Sequence, residues 1–477
     1  MTRSKPGRKT RLLGAGLLAA IALSGCASGP QTSGTQSSGT ESSSAVPASP
    51  GQSQSPPAAD LASFYAQRLD WAACGENQCA KLTVPVDYAN PAGATLELAV
   101  LRVRSTGDPQ GTIVVDPGGP GASGVDYAAA APYIATGNLI DHFDIVGFDP
   151  RGVSRSAPID CLTDSQLDAF IDADATPDDS AEVDAIVAMS DAFARGCTAP
   201  VEGLLQHMAT ADSARDMDVL RAALGEDKLD YLGVSYGTHL GATYAALFPA
   251  NVGRLVLDGP LPAQLSAEEL TLGQAQGFED ALRRFTADCL RQESCPLGAH
   301  VDDPQASDVD AALATLTAKL KSLDATPMST DEANRPLTEG AAMYGILMAM
   351  YSPDSDWPQL RDALSALFTG NGNPLQQFLD RRMQRRVDGT YADNSSEAFY
   401  AVSCVDRPVS GGAAEAASLS REWTTKAPVV GPYLAWGNLP CVNWPDPVVA
   451  PSLPTAALPT ILVVATTHDP ATPLPWG

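Results

Sequence analysis

Between residues 112 and 257 the chain alternates short apolar runs with helical stretches, and this rhythm restricts its fold more than any other feature. Residues 112–116, 143–148, 229–234 and 254–257 each read as a strand, and 209–224 and 236–248 carry helical spacing, with Thr210 in place to cap the first of these helices. Strands that alternate with helices pair in parallel, because a parallel connection needs a crossover long enough to hold a helix. The crossover helices then cover both faces of the sheet. Residues 80–87 and 95–104 read as two further strands, divided by the turn Asn90-Pro91-Ala92-Gly93.

After Asp258-Gly259-Pro260 the rhythm breaks. From 263 to 440 the sequence is mostly helical and rich in Ala and Leu, and strand character returns only at 459–466. A helical insertion between two strands of one sheet is expected to cap the sheet edge where ligands bind. The expected body is therefore a core in two parts, 60–262 and 441–477, with a helical cap at 263–440. No internal repeat is found.

Gly233-Val234-Ser235-Tyr236-Gly237 matches G-x-S-x-G and lies between an apolar strand and a helix, the setting in which that motif presents a nucleophile. A serine in so sharp a turn has its Oγ exposed, and glycines on either side leave room for the turn. Acyl transfer also needs N–H donors for an oxyanion. The backbone N–H of Tyr236 is one candidate. The second is expected from the loop Pro117-Gly118-Gly119-Pro120-Gly121, from Gly119 first and Gly118 next, because glycine lets the backbone approach a substrate. An acid is expected after the late strand, where Asp469 stands in Thr467-His468-Asp469-Pro470-Ala471-Thr472-Pro473. Its task would be to orient a histidine and stabilise the imidazolium. The chain order Ser, acid, His puts that histidine after Asp469, and none follows before Gly477. His468 is read as a loop residue and His239 as pointing along its helix, away from Ser235. The base is thus expected beyond Gly477, in a tail this sequence lacks, and the chain as it stands is expected to be weak or inactive.

The first 25 residues read as an export signal. Arg3, Lys5, Arg8, Lys9 and Arg11 precede an apolar stretch at 12–23, which is short for a membrane span. Leu23-Ser24-Gly25-Cys26 then looks like a lipobox, in which Cys26 would carry lipid. Residues 27–59 are Ser, Gly, Gln, Pro and Thr with little to bury, the composition of a flexible tether. Of the nine cysteines, eight remain once Cys26 is set aside. They fall in four close couples, Cys74 with Cys79, Cys161 with Cys197, Cys289 with Cys295 and Cys404 with Cys441, and local pairing in an oxidising compartment is the simplest expectation. No spacing suggests a metal, and no cofactor is expected. The formal charge of −26 argues against nucleic acid or anionic headgroups as partners. It leaves the oligomeric state open.

These motifs resemble those of the exported tripeptidyl aminopeptidase-like proteins of actinobacteria, relatives of prolyl iminopeptidase with the α/β-hydrolase fold. The resemblance runs through 115–121, 148–152, 233–238 and 257–260, then Ser403-Cys404-Val405-Asp406, and ends at 468–473. It implies a serine peptidase with a Ser-Asp-His triad, of which Ser235 and Asp469 carry over, acting on peptides from their amino end. Relatives close with a Gly-His pair soon after the acid, and this chain ends first. Prolyl iminopeptidases have His where Pro117 stands, so their action on a single proline does not carry over. An acidic side chain of the cap, Glu268, Glu269, Glu279 or Glu339 among them, could hold the substrate's α-ammonium group. Two rival readings are an esterase or lipase with the same machinery, and a lipid-anchored binding protein without catalysis.

Overall fold

The computed structural model describes residues 56–135, 137–444 and 458–477. The lipobox cysteine Cys26, the export signal and nearly all of the tether lie outside the described residues. Eight strands form one sheet: β1 (Ala72–Cys74), β2 (Asn77–Pro85), β3 (Thr95–Val103), β4 (Gly111–Asp116), β5 (Phe143–Phe148), β6 (Leu229–Val234), β7 (Val252–Asp258) and β8 (Leu462–Val464). Their order is β1-β2-β3-β5-β4-β6-β7-β8. The first three form an antiparallel run that joins β5, and from β5 to β8 every pairing is parallel. This is an α/β-hydrolase sheet.

Two apolar layers enclose it. On one face the helices Thr210–Leu224 and Tyr236–Leu247 pack with Val114, Val146 and Phe148 in the main core. On the other, the helix Gly124–Ala129 packs with Val115 and Ile145. The helix Tyr236–Leu247 lies unusually close to the sheet. A Cβ at Gly237 would come within 2.6 Å of the Asp116 carbonyl oxygen, and one at Gly241 within 2.7 Å of the Tyr231 ring. Thr210 does not cap its helix: Ala209 holds that position, and the Thr210 hydroxyl instead meets Asp406 and Tyr236.

The cap has its own core, with Phe278, Leu282, Phe285, Leu316, Leu320 and Ile346 buried. It is built from more of the chain than 263–440. Leu167 and Ile171, on the helix Asp164–Ile171, are buried in the same cluster, and Val183, Ile186 and Val187 of the helix Ser180–Gly196 pack around Trp423 and Trp436. Ion pairs bind the two parts: Asp168 with Arg385 at 2.7 Å and Asp172 with Arg335 at 2.8 Å. The insertion after β5 thus joins the insertion after β7 in a single helical roof. Periodicity marks each of these helices but not the partner against which its apolar face packs.

Disulfides close Cys74–Cys79, Cys161–Cys197, Cys289–Cys295 and Cys404–Cys441. Such bonds persist in oxidising compartments and fit an exported protein. Among the described residues no helix is long and apolar enough to cross a membrane.

Candidate active site

Ser235 sits where β6 ends and the helix Tyr236–Leu247 begins, at φ 55° and ψ −121°. A residue with a Cβ seldom occupies this region, and doing so costs on the order of 1–3 kcal/mol. Neighbouring bonds hold it there. The Ser235 N–H donates to the Asp258 carbonyl at 2.8 Å, and the Ser235 carbonyl accepts from Thr238 through its N–H at 2.9 Å and its hydroxyl at 2.6 Å. The side chain is left partly exposed at the carboxyl rim of the sheet.

The loop after β4 presses on this turn. A Cβ added to Gly118 would stand 2.5 Å from the Val234 carbonyl oxygen and 2.7 Å from the Tyr236 nitrogen, and Gly118 has φ 91°. Only glycine fits there. The Gly118 N–H donates to Asp116 Oδ1 at 2.8 Å. That donor is therefore committed, and the N–H of Gly119, for which no acceptor is found among the described residues, stands next in line. Opposite it, the N–H of Tyr236 opens its helix, where no helical turn satisfies it. The glycine loop, the first turn of the helix and Ser235 are thus neighbours at this rim. The Tyr236 ring is fixed from below, its hydroxyl sharing a hydrogen bond with Thr210 Oγ1, which donates to Asp406 of the helix Ser395–Asp406.

Asp469 lies on the same rim, in the loop after β8. Its Oδ1 accepts from the N–H groups of Ala471 at 3.0 Å and Thr472 at 2.9 Å, and its Oδ2 from the Thr472 hydroxyl at 2.9 Å. A point where a Cβ of Gly259 would stand is 2.7 Å from Thr472 Oγ1 and 3.7 Å from the Ser235 nitrogen, so the acid loop and the serine turn are neighbours. The loop leans on the cap: Gln274 donates to the Ala471 carbonyl at 3.1 Å, and Gly277 packs against Pro470.

Among the described residues no histidine hydrogen-bonds to either Ser235 or Asp469. His468 turns outward at φ 90°, its Nδ1 2.8 Å from Asp280 and its Nε2 3.1 Å from Arg284 on the cap helix Ala267–Leu290. His239 is buried in the helix after Ser235. Burial, with Arg407 close by, pushes its imidazole down to about 3, so it is a neutral core residue.

A cavity of about 560 Å³ opens between the core and the cap beside Gly119 and Pro120. Its walls are chiefly apolar, with Phe170, Met343, Tyr400 and Trp436 prominent, and Asp174 is an acidic group on its lining. The Asp174 Oδ2 is buried without a partner, and burial raises this carboxyl above its ordinary range. Carboxylates of Asp174, Glu182 and Asp324 lie within 4.8 Å of one another. Of the four acidic residues considered from sequence, Glu339 lies next to the cavity, bonded to Tyr433 and Thr176. Glu279 is instead buried and accepts from the N–H groups of Val429 and Val430. Glu269 closes the capping box with Ser266, and Glu268 borders a smaller hollow elsewhere. Sequence reasoning overlooked Thr472, which had a readable signal in its spacing of three from Asp469. It also overlooked Asp174, which has none, and gave Asp406 no role beyond its place in the resemblance.

Residues 111–331 match the family described as alpha/beta hydrolase fold, and 427–477 the family described as TAP-like protein. The chain is 36% identical to Serine protease Hip1 of Mycobacterium tuberculosis over 86% of its own length and 82% of the relative's. It is 36% identical to Carboxylesterase B of the same species, over 91% and 85%. With Tripeptidyl aminopeptidase of Streptomyces lividans the identity is 32%, over 85% and 76%.

Proposed function

This chain belongs to the α/β-hydrolase family and is a hydrolase, and we propose that it works as a serine peptidase that releases short peptides from the amino end of its substrates. In this reading Ser235 Oγ attacks the peptide carbonyl. The N–H groups of Gly119 and Tyr236 receive the oxyanion, and an acyl-serine forms and is then hydrolysed. Asp469, ordered by Thr472, orients the histidine that takes the Ser235 proton. The observation that carries it is Ser235 in a strained turn against the glycine loop, with a carboxylate ordered on the same rim.

The cavity supports action at a chain end. It lies against the cap, and Asp174 on its lining, with the carboxylates of Glu182 and Asp324 within 4.8 Å, is an acidic group that suits an α-ammonium group. The relative named Tripeptidyl aminopeptidase agrees with action at the amino end, and the one named Serine protease Hip1 with a serine peptidase. A second reading, an esterase, is favoured by the apolar walls of the cavity and by the relative named Carboxylesterase B.

The test uses the full-length protein. A fluorophosphonate probe should label it and fail to label Ser235→Ala. A tripeptidyl anilide should then turn over faster than a short acyl ester; the reverse order would install the esterase reading, and labelling that persists in Ser235→Ala would remove both. We assign Cys26 as a lipid attachment point after Leu23-Ser24-Gly25, which would hold the enzyme at the outer face of the cell membrane. Mass spectrometry of the amino-terminal peptide checks this: an unmodified Cys26 overturns it.

A further inference from the structure

We infer that Asp116 is a positioning residue for the oxyanion hole, its carboxyl holding the loop that carries Gly119 against the first turn of the helix that carries Tyr236. The inference rests on the reading of Ser235 as nucleophile.

Asp116 is the last residue of β4 and is 1% exposed. Parallel pairing sets it beside Gly233, two residues before the serine. Its Oδ1 accepts from the Gly118 N–H at 2.8 Å, which bends the chain sharply out of the strand. The same oxygen would stand 3.0 Å from a Cβ on Gly237, and the Asp116 carbonyl 2.6 Å from it. One side chain therefore touches both parts of the proposed hole. It bonds the loop directly before Gly119, and it packs under the helix turn directly after Tyr236.

Nothing else explains a carboxyl in this place. Its Oδ2 is buried and has no partner. The groups around it are Tyr127 of the helix Gly124–Ala129, Tyr231 of β6, Tyr236, and Asp149 after β5, none of them cationic. Burial, with the like charge of Asp149 added, pushes the Asp116 carboxyl up to about 7. An aliphatic side chain would suit the end of a buried strand but could not accept the Gly118 N–H. Without that bond the Gly118 N–H would compete with Gly119 for the oxyanion, and the loop would be free to shift along the helix turn.

The two variants that decide the matter are Asp116→Asn and Asp116→Ala, made in the full-length enzyme and compared on a short acyl ester. Asparagine keeps an Oδ1 that accepts from Gly118, and alanine does not. Alanine should lower kcat about 10- to 100-fold and leave KM within about twofold, the signature of a donor displaced in the transition state alone. Asparagine should stay within about threefold of the parent kcat. Equal losses in both variants, or a kcat unchanged by alanine, would overturn the inference. Should Asp116→Ala not fold, Asp116→Val takes its place as the variant without an acceptor: a kcat lowered about 10- to 100-fold upholds the inference, and a kcat within about threefold of the parent overturns it. Ser235→Ala serves as the separate control. If that variant hydrolyses the ester at the parent rate, the reading of Ser235 fails; if only the Asp116 variants depart from expectation, this inference fails alone.

Discussion

Replacing Gly118 by alanine tests the proposed geometry at its tightest point. The added Cβ would lie 2.5 Å from the Val234 carbonyl oxygen and 2.7 Å from the Tyr236 nitrogen, where ordinary contact begins near 3.4 Å. Both neighbours are backbone atoms of the serine turn and cannot rotate aside, so the loop itself must retreat by about 0.9 Å. The residue must also keep φ 91°, which costs alanine roughly 1–2 kcal/mol. A displacement of this size at one oxyanion donor is worth about 10²- to 10³-fold in kcat, or ~3–4 kcal/mol of transition-state stabilisation. KM should change little. Gly225→Ala is the control, since Gly225 also has a positive φ of 85° but nothing within 4 Å of its Cβ position. It should lose about 1 kcal/mol of stability and no activity. The assay is steady-state turnover of a tripeptidyl anilide and an acyl ester, alongside thermal melting. If Gly118→Ala keeps kcat within about threefold of the parent, the glycine loop does not supply a donor and the proposed hole is wrong.

Three further outcomes follow from the same site. Ser235→Gly and Ser235→Ala should both lose turnover, but the glycine variant should be more stable by about 1–2 kcal/mol because it alone relieves the φ 55° strain; equal melting temperatures would show the turn to be relaxed. Thr472→Val removes one of three hydrogen bonds on Asp469 and should lower kcat about tenfold, with Thr472→Ser restoring it; a valine variant at parent activity would detach Thr472 from the acid. His239 is neutral in the fold, held down to about 3, while the unfolded chain protonates it near 6.5. Its contribution is intact above that value and is lost as pH falls, by roughly 3 kcal/mol at pH 4.5. The stability gap between the parent and His239→Gln, measured by urea unfolding, should shrink by that amount between pH 7 and 4.5; a constant gap would mean His239 is not buried in neutral form.

The sheet and its serine turn were legible because both are local. Each of β4 to β7 is a short apolar run between turn residues, and Ser235 is announced by glycines two positions away on either side. Asp469 was reachable for the same reason, since one strand and one loop define its place. The roof was not. Asp168 and Arg385 lie more than two hundred residues apart and meet only because two insertions converge, and nothing in either helix names its partner. The acidic residues proposed for the cap show a related failure: Glu269 and Glu279 satisfy N–H groups of the helices and loops around them, a use that composition does not distinguish from ligand binding. Thr210 was misplaced by one residue. Its hydroxyl serves Tyr236 and Asp406, and a long-range bond outweighed the local preference for a helix cap.

The two-part roof bears on how the protein reaches its native state. The first instalment, Asp164–Ile171 and Ser180–Gly196, precedes β6 and β7, and the second follows them. The central strands can therefore pair while the earlier helices still lack the neighbours that bury Leu167 and Ile171. Loop closure over such distances is entropically slow to nucleate. The covering layer therefore depends on contacts between segments far apart in sequence, whereas the strand, turn and helix that carry Ser235 are local to one another.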